Sequence, residues 1–389
     1  MNPPLPSPDS DAQAHSNALR EYIRRQIRQQ GGSISFKQFM ESALYAPGLG
    51  YYSAGSHKLG DTGDFITAPE LSPLFGATLA QAMTPVLQAL PQANILEVGA
   101  GSGALAISIL QALQPPSCSL GHYYILEVSA DLRARQRQAL QQADLLDKVT
   151  WLESLPAAFI GVVLANEVLD AMPVHLVEVT ASGVKERFVA EVDDEFVWQL
   201  GPVSDARLSQ RVIDMEPRRP PALPEGYVTE INLVAEDWLQ ALAEACQQAY
   251  VILIDYGFPQ HEYYHPQRRQ GTLLCHYRHH SHDDPFQYIG LQDITAHVDF
   301  TAMADAALAS GWDVAGYTTQ AHFLLGSGLM DLIQNDAGVS SVEQLQLQQQ
   351  VKKLTLPHEM GELFKVIGLQ KNLDIELPGF LLHDMRGRL

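Results

Sequence analysis

At 389 residues, with 46% hydrophobic and 18% charged side chains, the chain can bury a large core, and disorder throughout is excluded. Its 45 acidic against 25 basic residues give a net charge of −20, which repels phosphate backbones and makes a cationic protein segment the easier partner. Three scattered cysteines (Cys118, Cys246 and Cys275) lack CxxC spacing, so they fit a reducing compartment and offer no zinc signature.

Residues 1–14 are rich in proline, with no basic residue or apolar run, and read as a loose tail rather than a secretory signal or transit peptide. No run of roughly 18 apolar residues is present, so no membrane-spanning helix is expected and a cytoplasmic location is. Leu19, Tyr22, Ile23 and Ile27 recur at helical spacing over Asn17 to Gln30, and Gly31-Gly32 stops that helix. A second helix is predicted over Phe36 to Leu44 with Ser35 as its N-cap. Tyr45 to Glu70 then carries Gly48, Gly50, Gly55, Gly60 and Gly63, which marks an ordered functional loop. A helix over Pro73 to Leu90 closes this N-terminal region, residues 15–90.

From residue 91 the texture alternates between strand and helix. Strands are predicted at Asn94–Val98, Tyr123–Val128, Val149–Leu152, Gly161–Ala165 and Tyr250–Ile254, with helices over Ala104–Leu113 and Ala130–Gln142. Repeated strand–helix units imply an α/β fold: a mostly parallel sheet with helices on both faces, built from residues 91–175 and 245–325. Residues 176–244 interrupt it, with antiparallel strands predicted at 176–180, 186–191 and 196–200 and a Pro-rich linker at 217–224. Residues 326–389 form a helical extension, whose Gln-rich stretch reads as a solvated helix or a surface for a partner or second copy.

The most informative segment is Glu97-Val98-Gly99-Ala100-Gly101-Ser102-Gly103-Ala104, where a strand runs through alternating glycines into a helix. Glycine permits positive φ and close backbone approach, and the helix start offers free N–H groups, so such a loop holds a nucleotide-like cofactor. Gly99-x-Gly101-x-x-Ala104 also satisfies a dinucleotide fingerprint. Glu97 points toward S-adenosylmethionine, because an acid there suits a cationic methionine portion and would repel a pyrophosphate. Glu127, closing the next strand, can accept both ribose hydroxyls of either cofactor.

A second cluster, Asn166-Glu167-Val168-Leu169-Asp170, follows an apolar strand, where a doubly wound sheet positions its chemistry. Glu167 and Asp170 can orient a guanidinium by bidentate hydrogen bonds; the alternative is that Asp170 caps a helix and Glu167 is solvated. His276, His279, His280 and His282 lack the partners of a familiar metal site, so no metal is expected.

Gly63-Asp64-Phe65-Ile66-Thr67-Ala68-Pro69-Glu70, the preceding Tyr45-x-Pro47-x-x-Gly50-Tyr51-Tyr52, the Glu97 to Gly103 loop, Ala165-Asn166-Glu167, Asp170-Ala171-Met172-Pro173-Val174 and Asp255-Tyr256-Gly257 resemble the MidA-like methyltransferase family. The resemblance extends over about residues 17 to 380 and departs at Leu363, where that family usually has Arg. It implies a class I, Rossmann-like, S-adenosylmethionine-dependent methyltransferase, similar to mitochondrial members that assist assembly of respiratory complex I by symmetric arginine dimethylation. A bacterial relative with its own protein target is expected. By this reading Gly63, Asp64, Glu97, Gly99, Gly101, Gly103, Glu127 and Asn166 bind cofactor, while Glu167 and Asp170 are catalytic. The partner is a protein with an accessible arginine, with no nucleic acid or membrane and with a homodimer possible. The rivals are an assembly chaperone that binds the cofactor without catalysis, and a nucleotide-linked dehydrogenase.

Overall fold

Short apolar runs separated by helices become seven strands of one sheet: β1 (Asn94–Val98), β2 (Tyr123–Leu126), β3 (Val149–Leu152), β4 (Phe159–Asn166), β5 (Cys246–Phe258), β6 (Asp313–Thr319) and β7 (Phe364–Lys371). The computed structural model describes residues 5–54, 67–113, 120–215, 223–335 and 341–389. Across the sheet the order is 6-7-5-4-1-2-3. β1 to β5 pair in parallel, and β7 runs antiparallel to both β5 and β6. In chain order the strands run outward one way from β1 to β3 and the other way from β4, so the order switches between β1 and β4. Ligands of such sheets bind beyond the carboxyl ends of the strands at that switch.

Consecutive residues Val162, Val163 and Leu164 are all fully buried, as are Val251, Ile252 and Leu253. A strand buried at successive positions must be covered on both faces, which a parallel sheet between helices provides. One covering helix, Pro73–Ala89, starts with Ser72 as N-cap and Pro73 in its first turn, and packs on helix Ala104–Ala112. A Cβ at Gly76 would lie 1.9 Å from Ser108 Oγ, so glycine sets how closely these helices cross. In the sheet, a Cβ at Gly161 would lie 1.9 Å from Asn94 O, and its φ of +143° also favours glycine; β1 and β4 pair closely because that side chain is absent.

The chain divides into two compact units, and the sheet belongs to the unit made of Ile66–Val168, Trp238–Gly257 and Phe300–Leu389. Residues 66–90 and 326–389 therefore join the sheet's unit, whereas Phe258–Asp299, expected within the core, belongs to the other. The expected helical extension 326–354 forms separate helices, Gln320–Gly326, Leu329–Asn335 and Ser341–Thr355, the first two parted at Gly328 with φ +90°. The extension over 326–389, expected to return to the core, does so through β7 within the central sheet.

The other unit comprises Met1–Phe65, Leu169–Asp237 and Phe258–Asp299. Its first helix spans Ser10–Gln29, not starting at Asn17, because Asp9 accepts a hydrogen bond from Ala12 N and caps it; part of the expected tail is thus helical. Ser35 and Gln38 form a reciprocal capping box for helix Phe36–Tyr45. An antiparallel sheet orders Ser33–Ser35, Gly183–Val192, His175–Thr180 and Val228–Ile231, with Glu195–Gly201 paired on Gly183–Val192. Leu19, Ile23, Phe36, Phe39 and Phe196 join one buried apolar cluster against it. Most of the expected Pro-rich linker, residues 217–222, lies outside the described residues. No helix among the described residues is long and apolar enough to cross a membrane.

Candidate active site

At the carboxyl end of β1 the chain turns through three glycines in left-handed conformation: Gly99 at φ +67°, Gly101 at +52° and Gly103 at +88°. Side chains would strain all three positions, and a Cβ at Gly99 would also lie 2.9 Å from Val168 Cγ2. Gly103 is the N-cap of helix Ala104–Ala112 without a side-chain cap, so the loop delivers the chain directly into the helix's positive end.

Two buried acids flank this loop. Glu97 is 2% exposed and accepts a 2.7 Å hydrogen bond from the Tyr123 hydroxyl on Oε2. Burial pushes its carboxyl up to about 7; the Tyr123 bond opposes that and the nearby Glu127 charge adds to it. Glu127, just beyond β2, is 5% exposed. Its Oε1 accepts from Ser129 N at 3.0 Å and its Oε2 from Gln136 Nε2 at 3.1 Å. Burial raises its carboxyl, against the pull of these bonds. The Val128 N–H also lowers it by hydrogen bonding, so three protein donors already hold a carboxylate with about four acceptor positions, leaving room for a ligand hydroxyl. Beside it Val128 is 75% exposed, an apolar side chain offered to solvent at a strand end.

At the end of β4, Asn166 Nδ2 donates to Glu167 Oε1 at 3.0 Å, while Asn166 Oδ1 is buried with no partner among the described residues. Glu167 is held at φ +53°, rare for a residue with a side chain, and its N–H donates to Ile254 O on β5 at 2.9 Å. β1 pairs with β4 up to Val98 and Ala165, so the glycine loop and Asn166-Glu167 emerge side by side.

Glu97, Gly99, Gly101, Gly103, Glu127, Asn166 and Glu167 thus meet at one edge of one unit. Asp170 belongs to the other unit, where it is buried and its carbonyl accepts from Ala296 N at 3.0 Å. Gly63 and Asp64 lie outside the described residues. His276 and His280–His282 sit on a hairpin whose turn residues, Arg278 and His279, have positive φ. No group of three or more potential metal-binding side chains occurs among the described residues. Gln136 and Tyr123 did not stand out in the sequence. The available signal for Gln136 was its place between Leu132 and Leu140 on the buried stripe of its helix.

The residues fit a nucleoside sulfonium. A cradle lacking Cβ atoms suits close backbone approach, a buried acid suits a cation, and a second acid at the end of the neighbouring strand suits a ribose hydroxyl. Together with the strand order, they define a Rossmann-like α/β protein that binds a nucleoside cofactor.

A family model described as "Putative S-adenosyl-L-methionine-dependent methyltransferase" matches residues 78–318, and the chain belongs to that family. A crystal structure of a Burkholderia thailandensis protein bound to S-adenosyl-homocysteine is 44% identical, with a TM-score of 0.93, covering 99% of this chain and 100% of that one. The mitochondrial protein arginine methyltransferase NDUFAF7 of Danio rerio is 29% identical over 86% of this chain and 82% of its own length. The Homo sapiens NDUFAF7 is 27% identical over 87% and 80%. The chain is therefore an S-adenosylmethionine-dependent methyltransferase, and its cofactor is S-adenosylmethionine.

Proposed function

We propose that this enzyme methylates arginine on a partner protein and that Glu167 is the carboxylate that orients the guanidinium. The observation carrying this reading is the backbone of Glu167: a side-chain-bearing residue held at φ +53° by a bond to Ile254 O, at the sheet's carboxyl edge. Strained backbone persists where its surroundings over-determine it, and such positions cluster at functional sites.

When bound, S-adenosylmethionine supplies an electrophilic methyl group on a sulfonium. Gly99, Gly101 and Gly103 seat the methionine portion, Glu97 balances its positive charge, and Glu127 accepts the ribose hydroxyls. Asn166 steadies Glu167 through its amide. Glu167 would accept hydrogen bonds from the guanidinium, turn one nitrogen toward the methyl, and stabilise the positive charge while an N–C bond forms, the C–S bond breaks to leave a thioether, and that nitrogen gives up one N–H proton. Two further facts support the substrate class: the relatives NDUFAF7 are named protein arginine methyltransferases, and a net charge of −20 favours a cationic segment. Symmetric dimethylation follows from the family resemblance alone.

The test is incubation with methyl-labelled S-adenosylmethionine and a protein lysate, followed by hydrolysis of the protein to amino acids and chromatography. Label in methylarginines is expected. Label confined to other residues or small molecules overturns the arginine assignment, and cofactor binding without transfer favours the chaperone rival.

A further inference from the structure

Helix Ala130–Gln142 carries four glutamines, and three of them (Gln138, Gln141 and Gln142) are exposed. Gln136 is fully buried, in line with Leu132 and Leu140 on the helix's inner face. An amide is costly at such a position unless its polar atoms are matched, and here they are. Oε1 accepts from Trp151 Nε1 at 2.8 Å. Nε2 donates to Gly101 O at 3.0 Å and to Glu127 Oε2 at 3.1 Å. An indole N–H can only donate, so Trp151 fixes which way the amide faces and turns its NH2 toward the loop and the acid. Trp151 is held in turn by the Arg137 guanidinium, 4.6 Å over its ring. The helix lies directly on the loop, since a Cβ at Gly103 would meet Gln136 Cα at 3.5 Å.

We propose that Gln136 is a positioning residue of the methyltransferase: by holding Gly101 O and Glu127 Oε2 on one nitrogen, it sets the spacing between the glycine loop and the ribose-binding carboxylate. The two halves of the cofactor are then gripped as one piece, because neither loop nor acid can shift without the other. The inference rests on reading Glu127 as the ribose acid.

Calorimetry with S-adenosylhomocysteine on the full chain separates the two. Gln136→Met keeps the volume and removes the bonds; affinity should fall about tenfold or more. Gln136→Met combined with Glu127→Ala should bind no more weakly than Glu127→Ala alone, because both act through one network. Gln136→Glu adds a pH signature that mere packing would not give. Ionised, its carboxylate repels Glu127 and Gly101 O; protonated, the repulsion is gone and its single O–H donates to one of the two. The deficit of this variant relative to the parent at the same pH should therefore shrink as pH falls. Parental affinity for Gln136→Met, additive losses in the double variant, or no acid rescue of Gln136→Glu would overturn the positioning role while a weakened Glu127→Ala leaves the ribose reading standing. If Glu127→Ala itself binds like the parent, the ribose reading fails and the positioning role with it.

Discussion

The Tyr123 hydroxyl donates across 2.7 Å to Glu97 Oε2, joining two buried side chains on neighbouring parallel strands immediately below the glycine loop. Tyr123 is the hydrogen-bond donor that keeps a carboxyl this deep able to ionise near neutrality. Without cofactor that carboxyl titrates at about 7. In the proposed role of Glu97 as the cofactor's counter-charge, a cation seated above it would draw it into the ionised form and link cofactor binding to a proton.

The sign of that linkage is fixed. Affinity for S-adenosylmethionine should fall as pH drops below about 7, approaching tenfold per pH unit, and binding near pH 6.5 should release a proton. Calorimetry in buffers of different ionisation enthalpy reads both. Tyr123→Phe removes the bond that lowers Glu97, so the fall should begin at higher pH. Glu97→Gln should flatten the profile. The apo protein provides a second check. An unfolded carboxyl ionises above 4.5 and the folded one only above about 7, so the penalty for charging it develops between those values and persists above. Glu97→Gln should therefore stabilise the apo protein by ~3 kcal/mol at alkaline pH and by much less near pH 4. A parental pH profile for Glu97→Gln would remove Glu97 from the site.

Gly101 and Gly161 predict contrasting failures. Gly101→Val puts a branched side chain at φ +52° on a loop outside the core. It should weaken S-adenosylhomocysteine binding at least about a hundredfold while the fold survives, as left-handed strain amounts to a few kcal/mol. Gly161→Ala forces a Cβ to within 1.9 Å of Asn94 O and parts β1 from β4. It should lower the melting temperature before any effect on binding can be read. Circular dichroism melts beside calorimetry distinguish the two.

How much of this was legible depended on which physical signal each residue carries. β1 to β5 were readable because strands buried on both faces are unbroken apolar runs, such as Ile160 to Ala165. β6 was not, since Asp313-Val314-Ala315-Gly316-Tyr317-Thr318-Thr319 is small and polar for a strand. β7 was hidden by a lysine at its second position. Lys365 is nearly buried and is accommodated by donating to Glu362 O and Leu363 O, a solution local sequence does not reveal. The glycines, Glu97 and Glu127 were found by spacing because a loop between strand and helix has a fixed form. Gln136 was not, because a matched buried amide looks like its three exposed neighbours until the leucines on either side of it are noticed.

Glu127→Ala tests the ribose acid. Loss of a hydrogen bond to a charged acceptor corresponds to about 1.5–3 kcal/mol of affinity for S-adenosylhomocysteine. The rise in melting temperature produced by saturating ligand should shrink accordingly. Adenosine should show a similar loss and 2′,3′-dideoxyadenosine little, since it has no diol to lose. A uniform loss for both nucleosides would make Glu127 structural.

Glu167→Gln decides between enzyme and chaperone. The substitution keeps the shape, the left-handed backbone bonded to Ile254 O, and one acceptor oxygen for Asn166 Nδ2. It removes the negative charge that steadies a guanidinium as its nitrogen attacks. Only interactions that strengthen toward the transition state raise the rate, so turnover should suffer more than binding. Methyl transfer to an arginine-bearing protein should fall on the order of a hundredfold or more, as when one preorganised electrostatic contact is lost. Affinity for S-adenosylhomocysteine should change by less than about tenfold, ~1.4 kcal/mol, because the proposed role of Glu167 is toward the arginine and not the ribose. Single-turnover transfer and calorimetry measure the two quantities separately. Transfer at the parental rate would show that the strained glutamate orients nothing. If parent and variant both bind cofactor while neither transfers methyl to any protein, the fold serves assembly rather than catalysis.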